Sequence, residues 1–168
     1  MKSTFKFLFA ASAILAVAAC SEEPASPEVA ASGANSGGSS ASAVDQSTQQ
    51  YFQQTVGDTV FFATNASSVS ARARQTLQRQ AQWLNQNQGV NAQIAGHADE
   101  RGTREFNLAL GARRAEAIRA FLVSQGVAAG RLSTVSFGKE RPAAPCSAET
   151  CWSQNRRSVT GLIGAPTS

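Results

Sequence analysis

The chain has 168 residues, with 15 Lys and Arg against 11 Asp and Glu, and a sequence pI of about 9.4. This basic balance is compatible with binding to nucleic acid or to another anionic polymer. Residues 1–19 are predicted to be an export leader, and an exported chain rarely meets nucleic acid. The composition therefore favours an anionic cell-wall polymer as partner, and no nucleic acid.

Residues 1–19 have the pattern of a bacterial secretory leader. Their apolar run, residues 7–19, is too short to span a bilayer with margin, and polar sequence follows it at once. The last residues, V-A-A-C, resemble a lipobox, at which lipoprotein leaders are cleaved before a cysteine; the alternative is an ordinary leader with a chance cysteine. In the lipobox interpretation Cys20 becomes the mature N-terminus and carries acyl chains. Each buried methylene contributes about 0.8 kcal/mol, so several chains anchor firmly.

Residues 20–50 are interpreted as the lipidated cysteine and a flexible tether. The segment is rich in Ala, Ser and Gly, carries four acidic residues and no Lys or Arg, and has almost nothing to bury. A flexible coil of this length spans roughly 30 Å on average and up to about 100 Å when stretched. Such a tether suits a domain that reaches from a membrane to a neighbouring layer.

Residues 51–168 are enough for one compact domain. The first strand is predicted over residues 56–63 (V-G-D-T-V-F-F-A), which are mostly β-branched or aromatic. Ser68 or Ser70 caps a helix that runs to about Asn87. A second strand is predicted over residues 91–97, where apolar residues partly alternate.

Thr103 is placed to cap a long helix that ends near Gln125. One face of this helix is predicted to be lined by Phe106, Leu110, Ala117 and Phe121, and Ile118 and Leu122 widen it. Strands follow over residues 132–137 and 158–163, with a short helical turn near 148–154 between them. The order is β-α-β-α-β-(α)-β, and helix crossovers favour parallel pairing in part of the sheet. We therefore predict an α/β (α+β sandwich) fold, with helices on one face of a mixed sheet.

Two cysteines, Cys146 and Cys151, flank a short loop in the last third of the chain. In an oxidising compartment two cysteines at close range favour a disulfide. The rival interpretation is a metal site, but the chain has one histidine and no second cysteine pair. We predict the disulfide, no metal and no cofactor.

An acid and two arginines form the candidate binding site. Asp99 is expected in the turn that joins the second strand to the long helix, which carries Arg113 and Arg114. Functional groups of parallel α/β domains commonly lie beyond the carboxyl ends of the strands. If the first strand neighbours the second, backbone N–H groups at Thr64 and Asn65 come near the same edge. A ligand with an ammonium and a carboxylate on one carbon would then meet Asp99 on one side and Arg114 on the other. On spacing alone, the alternative is a helix cap and a solvated basic face.

Several blocks of residues resemble the OmpA-like peptidoglycan-binding domain family, from about Val60 to Val159. In chain order they are Val60-Phe61-Phe62, residues 96–103 (G-H-A-D-E-R-G-T), Asn107-Leu108, Leu110-Gly111, Arg113-Arg114-Ala115, residues 136–142 (S-F-G-K-E-R-P) and Asn155-Arg156-Arg157. Separate blocks in the family's order are not expected by chance. The block at 97–103 and the lipobox together resemble the peptidoglycan-associated lipoprotein branch of this family.

The resemblance implies that the ligand is the peptide stem of peptidoglycan, gripped at meso-diaminopimelate. Its recognition pair falls on Asp99 and Arg114, with backbone groups at Thr64 and Asn65 holding the ligand carboxylate. The remaining positions are Asn107 and Leu110, which support the pocket, and the second-tier candidates Arg156 and Arg157, for which a basic surface strand is the alternative.

The resemblance also implies a location and partners. Lipidated Cys20 would sit in the outer membrane with the domain facing the periplasm. The protein partner would be the propeller protein TolB, and through it the Tol system active in outer-membrane constriction. The implied function is to tether the outer membrane to the cell wall as part of the Tol-Pal system, in envelope integrity and cell division.

Parts of the sequence are also compatible with two other functions. An enzyme would use His97, Asp99 and Glu100 as a catalytic or metal cluster, but no nucleophile motif accompanies them, and neighbouring residues in an extended backbone point apart. We therefore predict no catalytic residues and no enzyme. A protein-interaction module that mainly serves TolB stays open, because its surface could overlap the peptidoglycan pocket.

Overall fold

In the computed structural model of the chain, the described residues are 45–167. The predicted leader at 1–19, the lipidation site Cys20 and most of the predicted tether lie outside the described residues. Within 45–167, no helix is both long and apolar enough to cross a bilayer.

The described residues form four strands and four α-helices. The helices are α1 (Gln49–Tyr51), α2 (Ala71–Gln86), α3 (Arg104–Ser124) and α4 (Glu149–Asn155). The strands are β1 (Thr59–Phe61), β2 (Asn91–His97), β3 (Leu132–Gly138) and β4 (Arg157–Ile163). A π-helical turn, Phe52–Gly57, continues α1, and a 3₁₀ turn, Ala129–Arg131, precedes β3.

The strands make one mixed sheet in the order β1-β4-β2-β3. β2 and β3 are parallel, and β4 is antiparallel to both β1 and β2. The predicted α/β fold with a mixed sheet is confirmed. The assumption that the first strand neighbours the second is wrong, because β4 lies between them. β1 and β2 nevertheless run in the same direction, so their carboxyl ends lie at the same end of the sheet.

The first strand is shorter than predicted over residues 56–63. Val56 and Gly57 belong to the π-helical turn, and their carbonyl oxygens accept hydrogen bonds from Arg79 and Gln80 of α2. Because α2 side chains take these acceptors, residues 56–57 pack against the helix instead of extending the sheet.

The buried face of α3 differs from the predicted stripe. Phe106 is 44% exposed, whereas two polar residues, Asn107 and Arg114, are buried beside Leu110, Ile118 and Leu122. An amphipathic pattern read from apolar residues alone misses a face whose polar groups bond to the backbone beneath it.

Two glycines let α3 approach β2 closely. A Cβ atom on Gly96 would overlap the carbonyl oxygen of Gly111, and one on Gly111 would crowd Ser136 and Gly96. The absence of both side chains brings the helix backbone against the end of the strand. This contact places Arg114, which follows Gly111 by about one helical turn, beneath the carboxyl end of β2.

Residues 45–50, which precede Tyr51, are part of the folded unit. The Trp83 indole N–H donates to the Gln46 carbonyl oxygen at 2.7 Å, and the Phe52 and Trp83 rings pack edge to face at 4.9 Å. The Gln49 N–H donates to the carbonyl oxygen of Pro166 near the other end of the chain. The packed structure therefore begins at residues that the sequence placed in the tether.

Candidate functional site

Arg114 organises the carboxyl ends of β1 and β2. Its side chain is fully buried, and three of its nitrogens donate to backbone carbonyl oxygens: Nε to Ala66 at 2.8 Å, Nη1 to His97 at 2.7 Å and Nη2 to Ala63 at 3.1 Å. Its guanidinium also lies 5.0 Å from the centre of the Phe62 ring. Arg114 therefore holds the turn after β1 against the end of β2.

Burial lowers the pKa of Arg114 to about 10, while the negative charge of Asp99 acts in the opposite direction. The guanidinium stays protonated at neutral pH. It places a fixed positive charge close to Asp99 and beneath the turn that it holds.

Asp99 is 7% exposed and already ion-paired. Its Oδ2 lies 2.6 Å from Nη2 of Arg101 and 3.3 Å from Nη1 of Arg156, and its Oδ1 accepts the backbone N–H of Arg101 at 3.2 Å. Burial raises the pKa of this carboxyl, but the bonds from Arg101 and Arg156 outweigh burial, and the net shift is downward. The carboxylate is therefore ionised, and a cationic ligand has to compete with two arginines for it.

Arg156 connects Asp99 to the end of β1. It exchanges two hydrogen bonds with Phe62: its Nε donates to the Phe62 carbonyl oxygen at 3.2 Å, and its own carbonyl oxygen accepts the Phe62 N–H at 2.8 Å. Its Nη2 pairs with Glu149. Arg156, a second-tier candidate from sequence, thus lies inside the cluster.

Arg157, the other second-tier candidate, lies outside the Asp99 cluster. Its Nη2 donates to the carbonyl oxygen of Arg141 at 3.3 Å. Ser158, the next residue of β4, is buried, and successive side chains of a strand point to opposite faces of the sheet. The Arg157 side chain therefore lies on the face of the sheet opposite to Ser158.

Thr64 and Asn65 form the exposed turn above Arg114. The turn is closed by a hydrogen bond from the Ala66 N–H to the Ala63 carbonyl oxygen at 3.2 Å, and Asn65 adopts a left-handed φ of 54°. Asn tolerates this region better than most residues. Within residues 45–167 the backbone N–H groups of Thr64 and Asn65 donate no hydrogen bond, so they are available to an anion.

Asn107 lies beneath the loop that carries Asp99, and Leu110 follows it among the buried residues of α3. The buried amide of Asn107 donates to the Arg101 carbonyl oxygen at 2.8 Å, and Leu110 is buried. Asn107 therefore supports the loop from below, whereas Leu110 belongs to the buried face of α3.

The three residues of the enzyme hypothesis do not converge. His97 is buried, and burial together with Arg157 and Arg141 lowers its pKa to about 4, so it is neutral at pH 7. Glu100 is exposed and accepts the Trp152 indole N–H at 3.1 Å. Among residues 45–167, no three His, Cys, Asp or Glu side chains are placed to hold a metal ion.

Three residues of the cluster were missed from sequence: Arg101, Glu149 and Trp152. Arg101 lies inside the block at 96–103 and could have been found there. Glu149 and Trp152 lie in α4, about 50 residues away along the chain, and no local pattern links them to Asp99. The structure also joins Cys146, before α4, to Cys151 within it, with 5.6 Å between their Cα atoms.

Comparison with known proteins identifies the family. Residues 61–156 match the OmpA family. The chain is 54% identical over 153 residues to the peptidoglycan-associated lipoprotein of Mesorhizobium japonicum, covering 91% of this chain and 89% of that protein. It is 38% identical over 159 residues to the protein of the same name from Pseudomonas aeruginosa, covering 90% and 93%.

Solved structures agree with this assignment. The crystal structure of the peptidoglycan-associated lipoprotein from Burkholderia pseudomallei superposes with a TM-score of 0.64 at 38% identity, covering 66% of this chain and 96% of that one. The C-terminal domain of Helicobacter pylori MotB, at 22% identity and a TM-score of 0.58, covers 63% of this chain and 84% of that one and shares the fold. The chain therefore belongs to the OmpA family and, within it, to the peptidoglycan-associated lipoproteins.

Proposed function

We propose that this protein is a lipid-anchored, non-enzymatic binder of peptidoglycan that tethers the outer membrane to the cell wall. Family membership and the printed names of the relatives support this proposal. The observation that carries it is the juxtaposition of an ionised, nearly buried Asp99 with an exposed turn, residues 64–65, whose backbone N–H groups are free among the described residues.

The chemistry fits a ligand that carries an ammonium and a carboxylate on one carbon, as each end of diaminopimelate does. Asp99 would receive the ammonium, and the N–H groups of Thr64 and Asn65 would receive the carboxylate. Arg114 would fix the turn and add positive charge beneath it. A direct contact between the Arg114 guanidinium and the ligand would require the turn to move, because the side chain is fully covered.

The ion pair between Asp99 and Arg101 is the contact that a ligand would exchange. The Arg101 side chain is 40% exposed, whereas that of Arg156 is 7% exposed and bonded on three sides. A partly solvated arginine loses little when it returns to water. We therefore expect the ligand ammonium to displace Arg101 and leave Arg156 in place.

The test of the site is Asp99→Asn in a pull-down with purified peptidoglycan. The near-isosteric change removes the charge, and truncating one partner of a desolvated charged contact costs about 2–5 kcal/mol, so retention should fall by at least about tenfold. Asp58→Asn, at the opposite end of β1, is the matched control and should bind like wild type. Wild-type retention by a folded Asp99→Asn protein would refute the site.

The ligand itself can be varied in the same assay. A soluble stem peptide with lysine in place of diaminopimelate lacks the second carboxylate and should bind about tenfold or more weakly, because a charge-assisted hydrogen bond contributes about 1.5–3 kcal/mol. Equal binding of the two peptides would contradict the assignment of the turn at residues 64–65 to the carboxylate.

The anchor and the partners complete the proposal. Cys20→Ser should remove the lipid and release the protein from the outer-membrane fraction.

The protein partner would be TolB within the Tol complex, acting in envelope integrity and cell division. If the TolB surface overlaps the Asp99 site, purified TolB should compete with peptidoglycan for the domain. Retention on cell wall without release of peptide or sugar fragments would distinguish this function from an enzyme.

A further inference from the structure

The short helix α4 makes two contacts with the arginines around Asp99. Glu149, in its first turn, pairs with Nη2 of Arg156. Trp152, one turn later, lies under the Arg101 guanidinium, with 4.3 Å from its central carbon to the ring centre. Each arginine that holds Asp99 is therefore also held by α4.

Glu149 of α4 adds a negative charge beside one of the two arginines that hold Asp99. Asp99 pairs with both Arg101 and Arg156, and Glu149 pairs with Arg156. Without Glu149, Asp99 alone would pair with both Arg101 and Arg156, and the excess positive charge would repel an ammonium that approaches Asp99. Glu149 thus offsets positive charge that would otherwise weaken the attraction between the buried Asp99 carboxylate and a cationic ligand.

Trp152 contacts both Arg101 and the preceding residue, Glu100. Its ring lies against the guanidinium, and its indole N–H donates to Glu100, the residue before Arg101, at 3.1 Å. A cation over an aromatic face is stabilised while it stays partly solvated. The ring can therefore continue to hold Arg101 when another cation takes Asp99.

Two connections hold α4 at the site. The Cys146–Cys151 disulfide ties its middle to the preceding loop. The amide of Asn155, at its last residue, accepts the N–H groups of Ala143 and Ala144 at 2.7 and 3.0 Å and donates to the Ala144 carbonyl oxygen at 2.8 Å. A seven-residue helix is too short to be stable alone, so its place depends on such connections.

We propose that α4 is a positioning element of the Asp99 site, in which Glu149 and Trp152 hold Arg156 and Arg101, and that the Cys146–Cys151 disulfide makes this positioning sensitive to reduction. This inference rests on the proposed function and deepens it. Glu149 and Trp152 are positioning residues, because they act on the ligand through the two arginines.

The charge part is tested by Glu149→Gln in the full-length protein, titrated with a soluble stem peptide that ends in diaminopimelate. Affinity should fall about two- to fivefold, and the loss should shrink at high salt because Glu149 is exposed. Glu116→Gln, which removes the same charge from an exposed pair with Arg119 on α3, is the matched control and should leave affinity unchanged. Equal affinity of the two variants would overturn the role of Glu149.

The ring part is tested by a pair of changes at Trp152. Trp152→Phe keeps an aromatic face for Arg101 and loses only the indole N–H, so it should stay within about twofold of wild-type affinity. Trp152→Ala removes the face and should weaken binding about two- to fivefold. If Trp152→Phe binds as weakly as Trp152→Ala, or if neither change alters binding, the positioning role of the ring is wrong.

The disulfide part uses reduction as the perturbation. Dithiothreitol should weaken peptide binding by the wild-type protein to the level of the Cys146→Ser/Cys151→Ser double variant, and it should not affect that variant. Unchanged affinity after complete reduction would overturn the redox sensitivity.

A readout that needs no ligand separates this inference from the proposed function. In Glu149→Gln the uncompensated charge of Arg156 should stabilise the Asp99 carboxylate, so the pKa of Asp99 followed by NMR should fall below its wild-type value. Absence of peptide binding by the wild-type protein would reject the proposed function. An unchanged pKa of Asp99 in Glu149→Gln would reject the role of α4, whether or not the peptide binds.

Discussion

Arg114→Ala is expected to destabilise the whole domain rather than remove a ligand contact from an intact one. The guanidinium is fully buried and is the hydrogen-bond donor to the carbonyl oxygens of Ala63, Ala66 and His97. An alanine would remove these three hydrogen bonds at the point where β1 and β2 end, and the Ala63 carbonyl oxygen would keep the Ala66 N–H as its donor. It would also leave a cavity between α3 and the turn.

The size of the effect follows from these contacts. A hydrogen bond from a charged group contributes about 1.5–3 kcal/mol, and removing one partner of a buried charged interaction costs about 3–5 kcal/mol. The bond to His97 is fully buried, whereas water can reach the carbonyl oxygens of Ala63 and Ala66 once the side chain is gone. We therefore expect a loss of about 3–5 kcal/mol, a large part of the roughly 5–15 kcal/mol that stabilises a domain.

Urea unfolding followed by far-ultraviolet circular dichroism measures this loss as a lower midpoint with an unchanged slope. Arg113→Ala is the matched control, because Arg113 is the preceding residue of α3 and is exposed. It should change the free energy of unfolding by no more than about 0.5 kcal/mol. An Arg114→Ala protein within about 1 kcal/mol of wild type that no longer binds peptidoglycan would refute this reasoning, and would show that the guanidinium contacts the ligand directly.

Two further predictions concern the packing and the pH dependence of the domain. Gly96→Ala should lower the free energy of unfolding by about 3 kcal/mol or more, because its methyl group would overlap the Gly111 carbonyl oxygen. Gly89 has open space around it, so Gly89→Ala should have little effect. Equal urea midpoints for the two variants would contradict the close approach of α3. Stability should also fall as the pH drops from about 6.5 towards 4. The pKa of His97 is 6.5 in the unfolded chain and about 4 in the folded protein. Between these values the unfolded chain binds a proton that the folded protein does not, which lowers the free energy of unfolding by up to about 3 kcal/mol. His97 is the only histidine, so His97→Gln should flatten the profile above pH 5, and a slope unchanged by that variant would assign the effect to another group.

The helix ends and β2 were predictable because their signals are local. The Ser70 hydroxyl accepts the Ala73 N–H, and the Thr103 hydroxyl accepts the Phe106 N–H, each three residues further along the chain. Gly126 follows α3 with a φ of +91°, which a glycine adopts without strain. Such patterns involve few residues and need no knowledge of the sheet.

The strand order was not predictable in the same way. The insertion of β4 between β1 and β2 depends on residues about 100 positions apart, such as Thr59 and Val159, and no short pattern reports their pairing. The shortening of β1 has a similar cause, because Arg79 and Gln80 compete for its backbone from another element.

The site was only partly predictable. The block at residues 96–103, which resembles the OmpA-like family, indicated Asp99. The structure places the turn at residues 64–65 at the same end of the sheet. The buried state of Arg114 was not visible from sequence, because an arginine in a helix usually faces water, and burial depends on three carbonyl acceptors that lie 17 to 51 residues away. Glu149 and Trp152 escaped notice for the same reason of distance along the chain.

The way in which residues 45–57 join the domain determines how it would respond to mechanical load. A pull on the chain at Asp45 would act first on the bond between Gln46 and Trp83 and on the bond that joins Gln49 to Pro166. β2 lies between two other strands, so the loop that carries Asp99 is far better braced than this terminal segment. If residues 45–57 peeled away, they would lengthen the connection by about 40 Å while the sheet stayed closed. The terminal segment would thus yield under tension before the end of the sheet that carries Asp99 and Arg114.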